Sequence, residues 1–324
     1  LTQPFAALYT PTETPRQERG AKLPALEALL AWSKGLQSVN DDLLESRPPQ
    51  LMNHPLMQDN YLLHFLIQHY CQHYESILMV LAQRAILSDT GDFEVGIPLV
   101  AQQPAPERVT VEPGHYKVGG RAPIAYDNEL PPQQATLGPF SIASRALSNS
   151  EYLAFMQAGG YQHKELWSET GWQWQQHQAV EHPDHWRKNT FGNWYGIAAR
   201  GAYALAGREP VAGISFHEAE ACANWAGGRL PHEHQWEVAC RLQLLEDSGG
   251  AWEWCGNTFY PYEGYRSFPY ENYSKPWFDD GHYSLRGGSL HTHPSIKRAS
   301  FRNFYEPDKR HVFAGLRLAY DTHA

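Results

Sequence analysis

The chain has 324 residues, enough for two domains with separate cores, and a net charge of −9 at pH 7 with an isoelectric point near 6.0. No basic block interrupts that balance, and no apolar run reaches the roughly eighteen residues that span a bilayer, so neither nucleic acid nor a membrane is an expected partner. The start, Leu1-Thr2-Gln3-Pro4, does not read as a signal peptide, and Cys71, Cys222, Cys240 and Cys255 form no CxxC pair; a reduced cytoplasm is the expected setting.

Residues 20–45 and 55–88 read as helices. Leu23, Leu26, Leu29, Leu30 and Trp32 recur at helical spacing, with Pro24 placed in the first turn, and Pro48-Pro49 separates the two stretches. In the second, apolar residues stand at 62, 63, 66, 67, 77, 78, 80 and 81. A Pro-rich segment from Ile97 to Pro113 reads as an interdomain linker. The pattern then changes to short strands (109–111, 115–118) between Gly-rich turns. Clear helices are expected only near Asn149–Ala158 and Phe216–Ala226, with a shorter one over His232–Arg241. Ser215 and Glu218 form a capping box for the helix at 216. The 11 Trp and 18 Tyr, concentrated after residue 150, suit a loop-rich domain pinned by large rings.

The most informative stretch is Gln68-His69-Tyr70-Cys71-Gln72-His73-Tyr74-Glu75. Four residues is about one helical turn, so His69 and His73 share a face and can hold one metal ion between them. Two ordinary histidines on a half-buried helix would show the same spacing. Glu75, about 200° around the helix from His73, points away from any such ion and is expected to orient another side chain.

From about residue 109 to 320 the chain resembles the formylglycine-generating-enzyme (sulfatase-modifying factor) family. The matching pieces are Asn149-Ser150-Glu151-Tyr152-Leu153-Ala154-Phe155, Ser215-Phe216-His217-Glu218-Ala219, Gly228-Arg229-Leu230-Pro231 with Trp236-Glu237, Trp252-Glu253-Trp254-Cys255, Arg286-Gly287-Gly288-Ser289 and Gly315-Leu316-Arg317. Formylglycine generation itself is not expected, because Leu290 to Lys297 contains neither of the copper-binding cysteines that activity requires. With a DinB-like helical domain carrying Gln-His-x-x-Gln-His in front, the whole resembles the ergothioneine-pathway sulfoxide synthases (EgtB-like) and the selenoneine synthases (SenA).

The resemblance implies an α+β protein: a DinB-like helical bundle over 1–96, a linker over 97–113 and a loop-rich, C-type-lectin-like domain over 114–324. It implies a mononuclear Fe(II) enzyme using O2 to join sulfur or selenium to the imidazole of hercynine, the trimethylated histidine betaine. His69 and His73 match two of the family's three iron-binding histidines. The third belongs to an earlier helix and is expected upstream of residue 1, with His54 and His64 the nearest alternatives within the chain. Gln72 matches the residue that holds the substrate ring. Asn303, Phe304 and Tyr305, preceded by Arg302, match the opposite wall, where a π face suits a trimethylammonium group; Arg302 is expected to pin the loop or pair with a carboxylate. Tyr262, then Tyr265, matches the family's proton-delivering tyrosine. Tyr305 and Glu13 stand where γ-glutamylcysteine-using members carry an Asp and an Arg, although Arg16 and Arg19 remain. A selenosugar is therefore the expected donor, with cysteine next. A different oxygenase on this scaffold, or a non-catalytic binding module, is the competing expectation.

Overall fold

The computed structural model describes residue 8 and residues 14–321. They fall into two compact units, residues 1–60 and 61–324. Compactness thus places the imidazole-bearing helix in the second unit, whereas composition places the boundary at 97–113.

In the first unit, helices run over Arg16–Lys22 and Leu26–Ser46. The expected single helix from residue 20 is broken at Leu23-Pro24-Ala25. Leu23 is extended (φ −65°, ψ 137°), as a residue preceding proline prefers. Arg47 ends the longer helix in the left-handed conformation, immediately before Pro48-Pro49.

The second unit opens with the 27-residue helix Tyr61–Leu87. Its buried residues are Tyr61, Phe65, Gln68, Glu75, Met79 and Ala82, and not the apolar run that marks the helix in the sequence. Leu63, Ile67, Ile77 and Val80 are exposed. The inward face mixes Tyr61, Phe65, Met79 and Ala82 with two polar residues, Gln68 and Glu75, which hydrogen-bond to loops of the same unit.

Among the described residues four small sheets follow. Strands β1 (Arg108–Val111), β4 (Phe140–Ala143) and β12 (Ala319–Asp321) form one, in the order β1-β4-β12, and β2 (Gly114–Val118) pairs with β3 (Gln133–Leu137). Strands β5 (Trp186–Lys188), β6 (Trp194–Ala198) and β7 (Gly201–Tyr203) form a third. The fourth has the order β10-β9-β8-β11, from Asn303–Tyr305, Tyr283–Arg286, Trp252–Thr258 and Ala314–Gly315. Every pairing is antiparallel except β8 with β11.

Helices Asn149–Gln157, Phe216–Trp225 and Glu233–Arg241 lie where expected, and the Ser215/Glu218 capping box is formed. The helix Glu169–Gln178 is not foreseen. Its sequence is mostly polar, and only Gly171 and Gln175 are buried.

Large rings and buried ion pairs hold the irregular segments. Trp186, Trp236, Trp252 and Trp254 are fully buried, and Arg317 pairs with Glu253 at 2.7 Å. Glu233 pairs with both Arg286 (2.8 Å) and Arg302 (2.7 Å). Burial opposes the ionisation of Glu233, but the two guanidinium groups outweigh it and hold its carboxyl well below the usual range. Breaking one arm of such a pair strands a buried charge, so these contacts fix the positions of β9 and of the segment leading into β10.

Candidate active site

The Tyr61–Leu87 helix sets the first wall. His69 and His73 cross edge to face with centroids 4.4 Å apart, and their Nε2 atoms are 2.9 Å apart. At that distance one imidazole hydrogen-bonds the other, and the two nitrogens converge on one point beside the helix, where a metal would replace the shared proton. Burial, with His73 beside it, lowers the His69 pKa and favours the neutral imidazole that a metal takes. Among the described residues no group of three His, Cys, Asp or Glu side chains could hold a metal. His64 is five residues from His69, about 140° around the helix, and does not join them.

The ring of His69 lies parallel to Phe65, one turn back, at 5.6 Å. Phe65 meets Tyr126 and Tyr273 edge-on at 5.6 and 5.8 Å, and those two tyrosines stack at 4.6 Å. Gln72 reaches the same place: its Nε2 donates to the Tyr273 hydroxyl at 3.0 Å, and that hydroxyl lies 3.2 Å from Gln72 Oε1. Burial pushes the Tyr273 phenol well above its ordinary pKa, so it remains a proton donor.

Two buried carboxylates lock this wall in place. Glu75 accepts from Trp252 Nε1 (2.9 Å), the Ser289 hydroxyl (2.5 Å) and the Thr292 hydroxyl (2.7 Å). It therefore bolts the helix to the Gly-Gly-Ser segment, as its position opposite the imidazoles predicts. Two turns earlier, Gln68 Oε1 accepts from Arg298 at 2.6 Å, and Arg298 in turn pairs with the buried Glu129 through its Nε at 2.8 Å. Tyr305 adds a third tie, its hydroxyl 3.9 Å from the sulfur of Met79 on the same helix.

The remaining expected residues lie in other surroundings. Phe304 stacks on Phe259 at 4.2 Å, and Asn303 Oδ1 accepts from the Phe304 amide. The donors of Arg302 go to Glu233, Asn128 O and Tyr260 O, which holds the start of β10 rigidly. Tyr262 is buried against Arg302, whose guanidinium sits 4.4 Å from its ring centre, and burial raises its pKa. Tyr265 donates to Asp127 at 2.8 Å, and Asp127 also accepts from Ser274. That network places Tyr265 beside the residues adjoining Tyr126 and Tyr273. Burial pushes the Tyr265 phenol up to about 12. His54, in the first unit, accepts from the Leu56 amide. Glu13 lies outside the described residues.

Sequence reading missed Tyr126, Tyr273 and Arg298. The one available signal was Phe65, four residues before His69 and so on the same face.

The family profile described as the sulfatase-modifying factor enzyme 1-like domain matches residues 97–248 and 241–322. A hercynine oxygenase from Mycobacterium tuberculosis is 33% identical over 248 residues, covering 61% of this chain and 56% of that protein. A hercynine oxygenase from Mycolicibacterium smegmatis is 32% identical over 312 residues, covering 79% of this chain and 71% of that protein. Among solved structures, PvdO from Pseudomonas aeruginosa superposes with a TM-score of 0.48 at 16% identity, covering 70% of this chain and all of that one.

Proposed function

This chain belongs to the sulfatase-modifying factor enzyme 1-like family, in its ergothioneine-pathway (EgtB-like) branch, and from that premise we propose that it is a non-haem Fe(II), O2-dependent enzyme forming a carbon–sulfur or carbon–selenium bond on the imidazole of hercynine. The observation that carries this is the convergence of His69 and His73 Nε2 at 2.9 Å beside Gln72 and its tyrosine partner. Bound to the two imidazoles, Fe(II) would supply the one-electron and O2 chemistry that side chains lack.

The protein's own groups bind, orient and move protons. Gln72, held by Tyr273, presents an amide that hydrogen-bonds a substrate imidazole next to the paired histidines. Asn303 is the proposed partner of the substrate carboxylate, and Phe304 offers a π face to the trimethylammonium group. Arg302 acts on them indirectly, since its donors are committed to Glu233, Asn128 and Tyr260. For the proton-delivering phenol, Tyr262 and Tyr265 remain proposals. Tyr273 joins them because its hydroxyl already contacts Gln72. Tyr305 and Glu13 stand where the resemblance has the Asp and the Arg that clamp a γ-glutamyl dipeptide, so the donor proposed is a selenosugar, with cysteine giving a sulfoxide as the alternative.

Calorimetry on the Fe(II)-loaded protein tests the substrate assignment. Hercynine should bind at least tenfold more tightly than histidine, a difference of about 1.4 kcal/mol from the cation that only hercynine carries. Equal affinities would reject it.

Among the described residues no helix is long and apolar enough to cross a membrane.

A further inference from the structure

A cavity of about 310 Å3 lies within the second unit, lined by β6, β7 and the segments around Pro210, Ser289 and Phe313. None of the residues assigned to hercynine or iron lines it. We propose that it is a second binding site, taking a small organic ammonium whose N–H donates to His185 and whose apolar body lies against Phe313 and Tyr203.

The floor of the cavity is His185. It is 3% exposed, and its Nε2 is buried with no hydrogen-bond partner. A buried imidazole nitrogen left unpaired costs on the order of 1–3 kcal/mol, which a ligand N–H would recover. The ring is fixed in place. Gly213 has φ +83°, and a Cβ there would come within 2.8 Å of His185 Nδ1, so the glycine lets the imidazole pack against the backbone. That contact turns Nδ1 toward Gly213 and leaves Nε2 for another partner. Phe313 packs between two imidazoles, 5.3 Å from His185 and 4.5 Å from His291. The Tyr203 ring lies across Gly196, where a Cβ would sit 2.3 Å from the ring, so this wall too is set by a glycine.

The charge of the ligand follows from the lining. Burial lowers the pKa of both His185 and His291, so at neutral pH neither is charged. Glu209, exposed at the mouth, is then the charged residue of the lining, and no Lys or Arg lines the cavity. Outside the lining, Arg310 and Arg187 act on His185 and Lys297 and Arg200 on His291; Arg310 is paired with Glu218 at 2.9 Å, Arg187 donates to the Asp184 and Trp186 carbonyls, and Lys297 donates to Gly249 O. An apolar-walled cleft with one carboxylate at its mouth favours a cation over an anion. The pocket volume, at the lower end of the usual range for small-molecule sites, limits the ligand to a compact body.

The test uses the full chain with phenethylammonium and 3-phenylpropionate as probes, followed by calorimetry and by the His185 imidazole signals in NMR. The expected result is saturable binding of the ammonium with a shift of the His185 resonances, and at least tenfold weaker binding of the carboxylate. Glu209→Gln, an exposed change that leaves the fold alone, should weaken the ammonium about tenfold (about 1.4 kcal/mol). His185→Phe should abolish the binding, and Ala198→Leu, which fills the cavity from β6, should do the same. The double variant His69→Ala with His73→Ala should bind the probe as the parent does, which separates this site from the proposed iron site. A cavity that holds only solvent would give no saturable binding. That outcome, equal binding of both probes, or binding that survives both His185→Phe and Ala198→Leu would overturn the proposal.

Discussion

Gln72 and Tyr273, 201 residues apart in sequence, hydrogen-bond through both atoms of the amide: Nε2 donates to the phenol at 3.0 Å, and the phenol lies 3.2 Å from Oε1. A side-chain amide held in this way is fixed in place against the phenol, and a fixed amide is what positions a substrate ring. Tyr273→Phe should therefore lower kcat/KM for hercynine about tenfold, a loss of about 1.4 kcal/mol. Because the two residues act as a unit, Gln72→Leu and Tyr273→Phe should be non-additive, with a coupling energy of at least about 0.5 kcal/mol in a double-mutant cycle. Strict additivity would show that Tyr273 works independently of Gln72.

Glu75 is a test of stability. Glu75→Ala leaves the Ser289 and Thr292 hydroxyls and the Trp252 indole without their shared acceptor. Removing one side of a buried, charged hydrogen-bond set should cost on the order of 3 kcal/mol, read as a fall in the urea midpoint. A cost below about 1 kcal/mol would mean that the helix is held mainly by other contacts.

The metal prediction rests on the two converging imidazoles. Fe(II) content measured after reconstitution and desalting should fall from one equivalent to a small fraction in His73→Ala. Full occupancy in the double variant His69→Ala, His73→Ala would place the metal elsewhere.

A pH dependence of stability follows from His185, which burial pushes down from the ordinary 6.5 to about 4. Between those values the unfolded chain binds the proton and the folded chain does not. Stability is therefore fully present above about pH 6.5 and falls as the pH drops toward 4. Unfolding free energies measured at intervals across that window should decline less steeply in His185→Phe than in the parent. Identical slopes would show that His185 protonates with little penalty in the folded protein.

The two walls differ in how far the sequence discloses them. His69, Gln72 and His73 are legible because helical geometry ties spacing to direction over a single turn. Glu75 could be placed away from the imidazoles by the same rule. Tyr126 and Tyr273 could not be found that way, since they sit at the ends of short 3-10 turns brought to Phe65 only by tertiary packing. The helix itself was read from its apolar run, yet Leu63, Ile67 and Ile77 are exposed, and its inward face uses Gln68, Glu75 and Met79. Hydrophobic periodicity locates a helix but cannot identify an inward face that mixes Phe65 and Met79 with hydrogen-bonded Gln68 and Glu75. The break at Pro24 was a matter of local chemistry: an extended Leu23 precedes it, and the helix begins at Leu26.

The proposed donor assignment rests on Tyr305, whose hydroxyl reaches Met79 on the imidazole helix. At fixed hercynine, a selenosugar should give the highest kcat/KM, cysteine the next and γ-glutamylcysteine the lowest. A γ-glutamylcysteine value tenfold above the others, equivalent to about 1.4 kcal/mol of transition-state binding, would reverse this assignment.

The most direct measurement is product mass after aerobic incubation of the Fe(II)-loaded protein with hercynine and each of the three donors, beside an anaerobic control. The account predicts an O2-dependent adduct joining hercynine to selenium or sulfur, absent from the His69→Ala, His73→Ala double variant. Protein carrying one equivalent of iron that consumes no hercynine with any donor would contradict it.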